Sequence, residues 1–158
     1  MKYLKYFEMQ RNYNIKNIID DYFTAALWTE ENRLEDELKD NDFTIYDFSE
    51  EDKDKVKEEI EWFIDKAGDS INVMTDDQLG HDLWLTRNGH GAGFFNRNYP
   101  VHVEDMLNKL SEVLGHADIY VGDDDKIYYE SSDRYKEWDI KKWKKELEFK
   151  KDVRKYNI

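Results

Sequence analysis

The chain has 158 residues, with 24 Lys and Arg against 37 Asp and Glu, a formal net charge of -13, one Pro and no Cys. Its length favours a single domain, and 39% apolar residues with 15% aromatics supply a core that an acidic disordered chain would lack. The composition excludes disulfides, thiolate metal sites and cysteine nucleophiles; the lack of a long apolar run or signal peptide leads us to expect a soluble cytoplasmic protein with no membrane contact, and the charge weighs against a broad phosphate-binding footprint.

Residues 1 to 13 mix aromatic and basic side chains and are compatible with a strand or a short helix. Asn17 is placed to cap a helix from Ile18 to about Lys39, with Ile18, Ile19, Tyr22, Phe23, Ala26 and Leu27 inward and Leu34 and Leu38 continuing the stripe. After a polar break, Phe43 to Phe48 alternates as a short extended segment would. Ser49, followed by Glu50, Glu51 and Asp52, starts a second helix that runs to about Lys66. Val56, Ile60, Phe63 and Ile64 form its inner stripe, Trp62 flanks them, and Gly68 ends it. Thr75 caps a helix carrying Leu79, Leu83, Trp84 and Arg87, which Asn88 and Gly89 close. Val103 to Gly115 is a helix with Met106, Leu107, Leu110, Val113 and Leu114 inward. Ile119-Tyr120-Val121 and Ile127-Tyr128-Tyr129, separated by an Asp/Gly turn, predict a β-hairpin. A last helix over 133 to 156 carries Tyr135, Trp138, Trp143, Leu147 and Val153 among Lys and Glu. The expected class is α+β: one helix-dominated domain with a small antiparallel hairpin and a C-terminal amphipathic helix. The body spans 1 to 130, and the basic helix of 131 to 158 packs on it or extends from it.

Charge is unevenly distributed along the chain. Residues 20 to 82 hold 22 acids and 6 bases, whereas residues 134 to 158 hold 5 acids and 10 bases. So sustained an excess of one sign repels itself, which either a gain in solubility or a basic partner compensates. Glu30, Glu31, Glu35, Asp36, Glu37, Glu58, Glu59 and Glu61 are the candidate partner-binding acids. In the tail, Lys141, Lys142, Lys144, Lys145, Lys150, Lys151, Arg154 and Lys155 could track phosphates while Trp138 and Trp143 stack on bases. The simpler expectation is that these lysines lie along a helix packed on the acidic surface of the same chain or of a second copy.

The segment Gly80 to Arg97, GHDLWLTRNGHGAGFFNR, concentrates two His, four Gly, Asp, Arg and Asn. Gly89, Gly91 and Gly93 permit positive φ or a close backbone approach, so the loop can return His90 towards His81 or Asp82. A His/Asp/His set could hold a divalent metal, although its spacing matches no recognised ligand pattern. His81, Asp82, Arg87 and His90 could instead run acid/base or phosphodiester chemistry, with His moving a proton and Arg answering negative charge. The favoured alternative is a buried network in which Arg87 pairs with an inward carboxylate, without metal or cofactor.

The same segment resembles the signature of a family of small acidic bacteriophage and prophage proteins, mostly uncharacterised, whose members read approximately GHDFWLTRNGHGAGFWDR. Leu83, Phe95 and Asn96 stand here in place of Phe, Trp and Asp. The likeness extends to Tyr22 to Thr29 and to Ile119 to Tyr128, and covers about residues 18 to 130. It implies a phage origin and no particular catalytic residue. Origin and charge together lead us to expect a non-enzymatic anti-defence protein that imitates DNA and occupies the basic channel of a CRISPR nuclease, best a Cas9-type enzyme, or of a restriction nuclease.

Overall fold

In a computed structural model, residues 11 to 37 and 43 to 156 are described. The first helix, α1, spans Ile15–Thr29. Its cap is Asn14, whose side chain accepts from the Asn17 N–H, so the helix begins one turn before the expected Asn17 cap. It also ends early. The Thr29 hydroxyl turns back on the Ala26 carbonyl at 3.2 Å and accepts from the Trp84 indole N–H at 2.8 Å, and Glu30 leaves helical geometry. Back-bonding by a β-branched hydroxyl commonly bends a helix, and here a new short helix, α2 (Glu31–Glu37), follows the bend. The expected continuation through Leu38 and Lys39 lies outside the described residues.

The segment expected to be extended is instead a 3-10 turn over Ile45–Asp47. Thr44 caps it and the Asp47 carboxylate accepts from the Thr44 N–H at 2.6 Å, a reciprocal cap that overrides the apolar alternation. Phe48 then stacks on Phe23 at 4.0 Å. Helix α3 (Glu50–Ala67) is capped by Ser49 and stopped by Gly68 at φ 57°. Val56, Ile60, Phe63, Ile64 and Ala67 face the core. Helix α4 (Asp76–Arg87) has a Thr75/Gln78 capping box. Helix α5 (Val101–Leu114) starts after Pro100 and ends at Gly115.

Helices α1 and α4 approach most closely at Gly80. A Cβ there would strike the Ile18 carbonyl and come within 2.9 Å of the Tyr22 backbone N. Gly80→Ala is therefore expected to force the helices apart and cost about 1 to 3 kcal/mol. A urea midpoint equal to that of the parent would contradict this contact.

The strands β1 (Ala117–Val121) and β2 (Ile127–Ser131) pair antiparallel, with Ile119 opposite Tyr129 and Tyr120 opposite Tyr128. Ala117, Ile119, Ile127 and Tyr129 are buried against the helices, while Tyr120 and Tyr128 stack on the outer face. The architecture is α+β, with a helix-dominated core and a two-stranded sheet.

The last helix differs from its expected extent. A 3-10 turn over Arg134–Glu137 buries Tyr135, Trp138 is extended, and α6 runs Ile140–Tyr156. Asp139 starts it by accepting from the Lys141 and Lys142 N–H groups. Trp62, Tyr135, Trp138 and Trp143 form an aromatic chain from α3 to α6. Beyond that chain α6 extends from the body instead of packing on it. Lys141, Lys142, Lys144, Lys145 and Lys150 are exposed, Phe149 is 69% exposed, and among the described residues no α6 side chain pairs with a body carboxylate. The side chains of Lys151, Val153, Arg154 and Lys155 lie outside the described residues. Among the described residues no helix is long and apolar enough to cross a membrane.

Candidate functional site

Helix α4 buries most of its C-terminal half, and two of its charged residues, Asp82 and Arg87, are buried with it. Arg87 is the clearest case. Its Nη1 donates to Glu59 Oε2 at 2.5 Å, to the Tyr129 hydroxyl at 3.0 Å and to the Tyr22 hydroxyl at 3.1 Å. Its Nε and Nη2 donate to the carbonyls of Gly115 and Leu114, at the open C-terminal end of α5. Glu59 accepts in addition from Ser131 at 2.6 Å and from Tyr129 at 3.3 Å. Both charged side chains are 1% exposed. Burial opposes the charge on Arg87, but Tyr22, Tyr129 and Glu59 outweigh it and push its pKa up. The inward carboxylate expected for Arg87 is thus Glu59, and Glu59 is not on the partner-facing surface where its charge had placed it. One ion pair joins α3, α4, α5, α1 and the hairpin.

The tyrosines in this network confer a pH dependence. Burial pushes the Tyr22 hydroxyl up to about 12, against the pull of Arg87, and burial likewise raises Tyr129 well above its ordinary value. A hydroxyl that holds its proton more tightly in the folded state contributes fully below the unfolded tyrosine pKa of about 10. That contribution is lost as pH rises through about 12, and for Tyr22 alone it amounts to about 2 to 3 kcal/mol. Unfolding followed from pH 9 to 12.5 should show this decline, and Tyr22→Phe should make it shallower. An unaltered decline in Tyr22→Phe would contradict the assignment.

Asp82, 1% exposed, faces a different set of partners. Arg97 clamps it through Nε at 2.9 Å and Nη2 at 3.0 Å, and His81 Nδ1 lies 3.3 Å from Oδ1. The loop makes the clamp possible by reversing direction at Gly89, Gly91 and Gly93, with φ of 65°, 75° and 141°. The Thr86 hydroxyl accepts from the Phe94 N–H at 3.1 Å and holds the loop back against α4.

His81 and His90 do reach a common place. They line a groove of ≈ 530 Å³ with Trp28, Thr29, Glu31, Asn32, Leu85 and Ala92. The bend after Thr29 sets Trp28 on its rim, 66% exposed, with its ring 6.4 Å from that of His81. His90 stacks on Trp84 at 6.5 Å, and its Nε2 is 3.8 Å from Glu30. Of the four residues considered for catalysis, His81 and Asp82 touch, His81 and His90 share the groove, and Arg87 is held away in the core. The Asp82 charge is already answered by Arg97. The acid/base constellation in which Arg87 meets negative charge beside the histidines is therefore not assembled. Among the described residues no group of three His, Asp or Glu is arranged to hold a metal.

The acidic surface has a more specific form than total charge suggests. Glu58 and Glu61 are exposed on α3, joined by Glu51, Asp54 and Asp65, which the sequence reading did not select. These five recur every three or four residues on the side of α3 opposite Val56, Ile60 and Phe63. At 1.5 Å per residue the row is about 21 Å long. Lys57, Lys66 and Lys136 stand within 4 Å of Glu61, Asp65 and Glu58 as exposed pairs. Glu30 is drawn inward by Arg33 at 3.0 Å, Glu31 is exposed, and the side chains of Glu35, Asp36 and Glu37 lie outside the described residues. Searches of family models, curated proteins and solved structures found no match to this chain.

Proposed function

We propose that the chain is a non-enzymatic inhibitor that sets an acidic face against the basic nucleic-acid channel of another protein. The observation that carries this reading is the row Glu51, Asp54, Glu58, Glu61 and Asp65 along the outer face of α3. Its charges fall one per about 5 Å, nearer to the 3.4 Å phosphate spacing of a single strand than to the 1.7 Å of a duplex. A Lys/Arg-lined channel that holds a nucleic-acid strand would accept such a row. Supporting it further, Arg87 is committed to a buried pair with Glu59, away from the histidines, and the Asp82 charge is answered by Arg97. Taken with the bacteriophage resemblance of Gly80 to Arg97, the target is a host defence enzyme in the cytoplasm, a CRISPR nuclease of Cas9 type or a restriction nuclease.

Cleavage by a guide-loaded Cas9-type nuclease, titrated with this protein, tests the reading. Inhibition is expected to be stoichiometric, one copy of this protein per nuclease, because no turnover at the groove is involved. Inhibition at strongly substoichiometric protein, retained in full after neutralising the α3 row, would replace the proposal with an enzymatic activity.

A further inference from the structure

The groove beside Trp28 is separate from the α3 row, and its chemistry selects for a particular occupant. Its wall includes an indole that is two-thirds exposed, a carboxylate on Glu31, a carboxamide on Asn32 and two imidazoles. Among the described residues neither Lys nor Arg lines it. Arg33, one residue on, is turned away to Glu30, Asp118 and the Ile119 carbonyl. Among the described residues Glu31 forms no ion pair. A phosphate would meet the Glu31 carboxylate with no Lys or Arg among the described residues to offset it, whereas a planar cation meets complementary charge and a π face. The guanidinium group matches both features: it stacks on an indole and donates in a fork to a carboxylate.

We propose that this groove is a receptor for an arginine side chain of the partner protein, stacked on Trp28 and paired with Glu31. The inference rests on the reading that the partner is a basic protein, and supplies the packed anchor that a row of exposed charges lacks. Exposed charges steer association and fix orientation, while Trp–Arg contacts in a pocket dominate binding energy. Trp28 is fixed for this role from below. The Thr29 hydroxyl is tied to the Trp84 indole, and His81 beside it is held by Asp82.

The test is an NMR titration of the full chain with a capped Gly-Arg-Gly peptide, with Gly-Lys-Gly and adenosine monophosphate as comparisons. Saturable shifts are expected at the Trp28 indole, His81 and His90, with the arginine peptide binding several-fold more tightly than the lysine peptide. Trp28→Ala, a change at an exposed position, should leave the melting temperature in place and weaken the arginine peptide about tenfold. Glu31→Gln should weaken it by a smaller factor. Neutralising the α3 row should leave this titration unchanged, so failure of the groove and failure of the acidic-face reading are separately visible. Adenosine monophosphate binding in preference to the arginine peptide would overturn the assignment in favour of a base-stacking site. Shifts spread over the acidic surface and insensitive to Trp28→Ala would also overturn it.

Discussion

Glu59→Ala is expected to destabilise the protein by about 3 to 5 kcal/mol, the range for removing one partner of a buried ion pair. The loss exceeds that of a single hydrogen bond because Arg87 would keep its charge with no carboxylate beside it, 1% exposed. Ser131 and Tyr129 would lose an acceptor as well. An average domain of this size has about 5 to 15 kcal/mol in total, so the variant should approach the unfolding threshold in modest denaturant. Replacing both Glu59 and Arg87 by apolar residues should recover only part of the loss. The pair could be replaced cheaply by packing, but the Gly115 and Leu114 carbonyls and two tyrosine hydroxyls would lose their donor. Urea unfolding of the single and double variants measures both effects. A Glu59→Ala midpoint close to that of the parent would show that the core does not depend on this pair.

Neutralising Glu51, Asp54, Glu58, Glu61 and Asp65 to their amides carries the second large expectation, on binding instead of stability. Exposed charges contribute about 0.5 to 1 kcal/mol each, so losing five should weaken a complex with a basic nuclease by about 70- to 5,000-fold. Folding should hardly respond. The variant gives up three weak exposed pairs with Lys57, Lys66 and Lys136 and gains relief from like-charge repulsion along the helix, effects of similar size and opposite sign. A variant that melts with the parent and no longer inhibits is the expected result. Equal inhibition by parent and variant would remove the row from the interface.

Much of the fold was legible where local chemistry decides it. Ser49 and Thr75 cap helices, Gly68 and Gly115 end them, and the turn from Gly122 to Lys126 lies between two strands, all as their residue types dictate. The Thr44/Asp47 cap was also written locally, but the apolar alternation around it suggested a strand. The break at Thr29 was not local. It depends on an indole from Trp84, 55 residues away, reaching the Thr29 hydroxyl. The last helix starts later than its periodicity suggests for a similar reason: Tyr135 leaves the helical path to pack beside Trp62.

At the candidate sites, position along the helix outweighs charge. Glu59 stands three residues after Val56 and one before Ile60, on the buried stripe of α3. That spacing marks it as the inward partner of Arg87, although its charge suggested the surface. The five-residue acid row obeys the same periodicity on the opposite side and was equally available. Asp82 and Arg97 were not recognisable as a pair, because three residues of positive φ decide where Arg97 returns. The joining of Trp28 to His81 and His90 follows from that loop and from the bend at Thr29, both set by tertiary contacts.

Salt dependence is the sharpest test of the proposal that an acidic face occupies a basic channel in place of nucleic acid. The dissociation constant for the parent protein and a guide-loaded Cas9-type nuclease is measured from about 50 mM to about 300 mM salt, with duplex DNA as competitor. Mutually exclusive binding is expected, with an affinity that falls at least about tenfold across that range. Simultaneous binding with the duplex, or an affinity indifferent to salt, would contradict it.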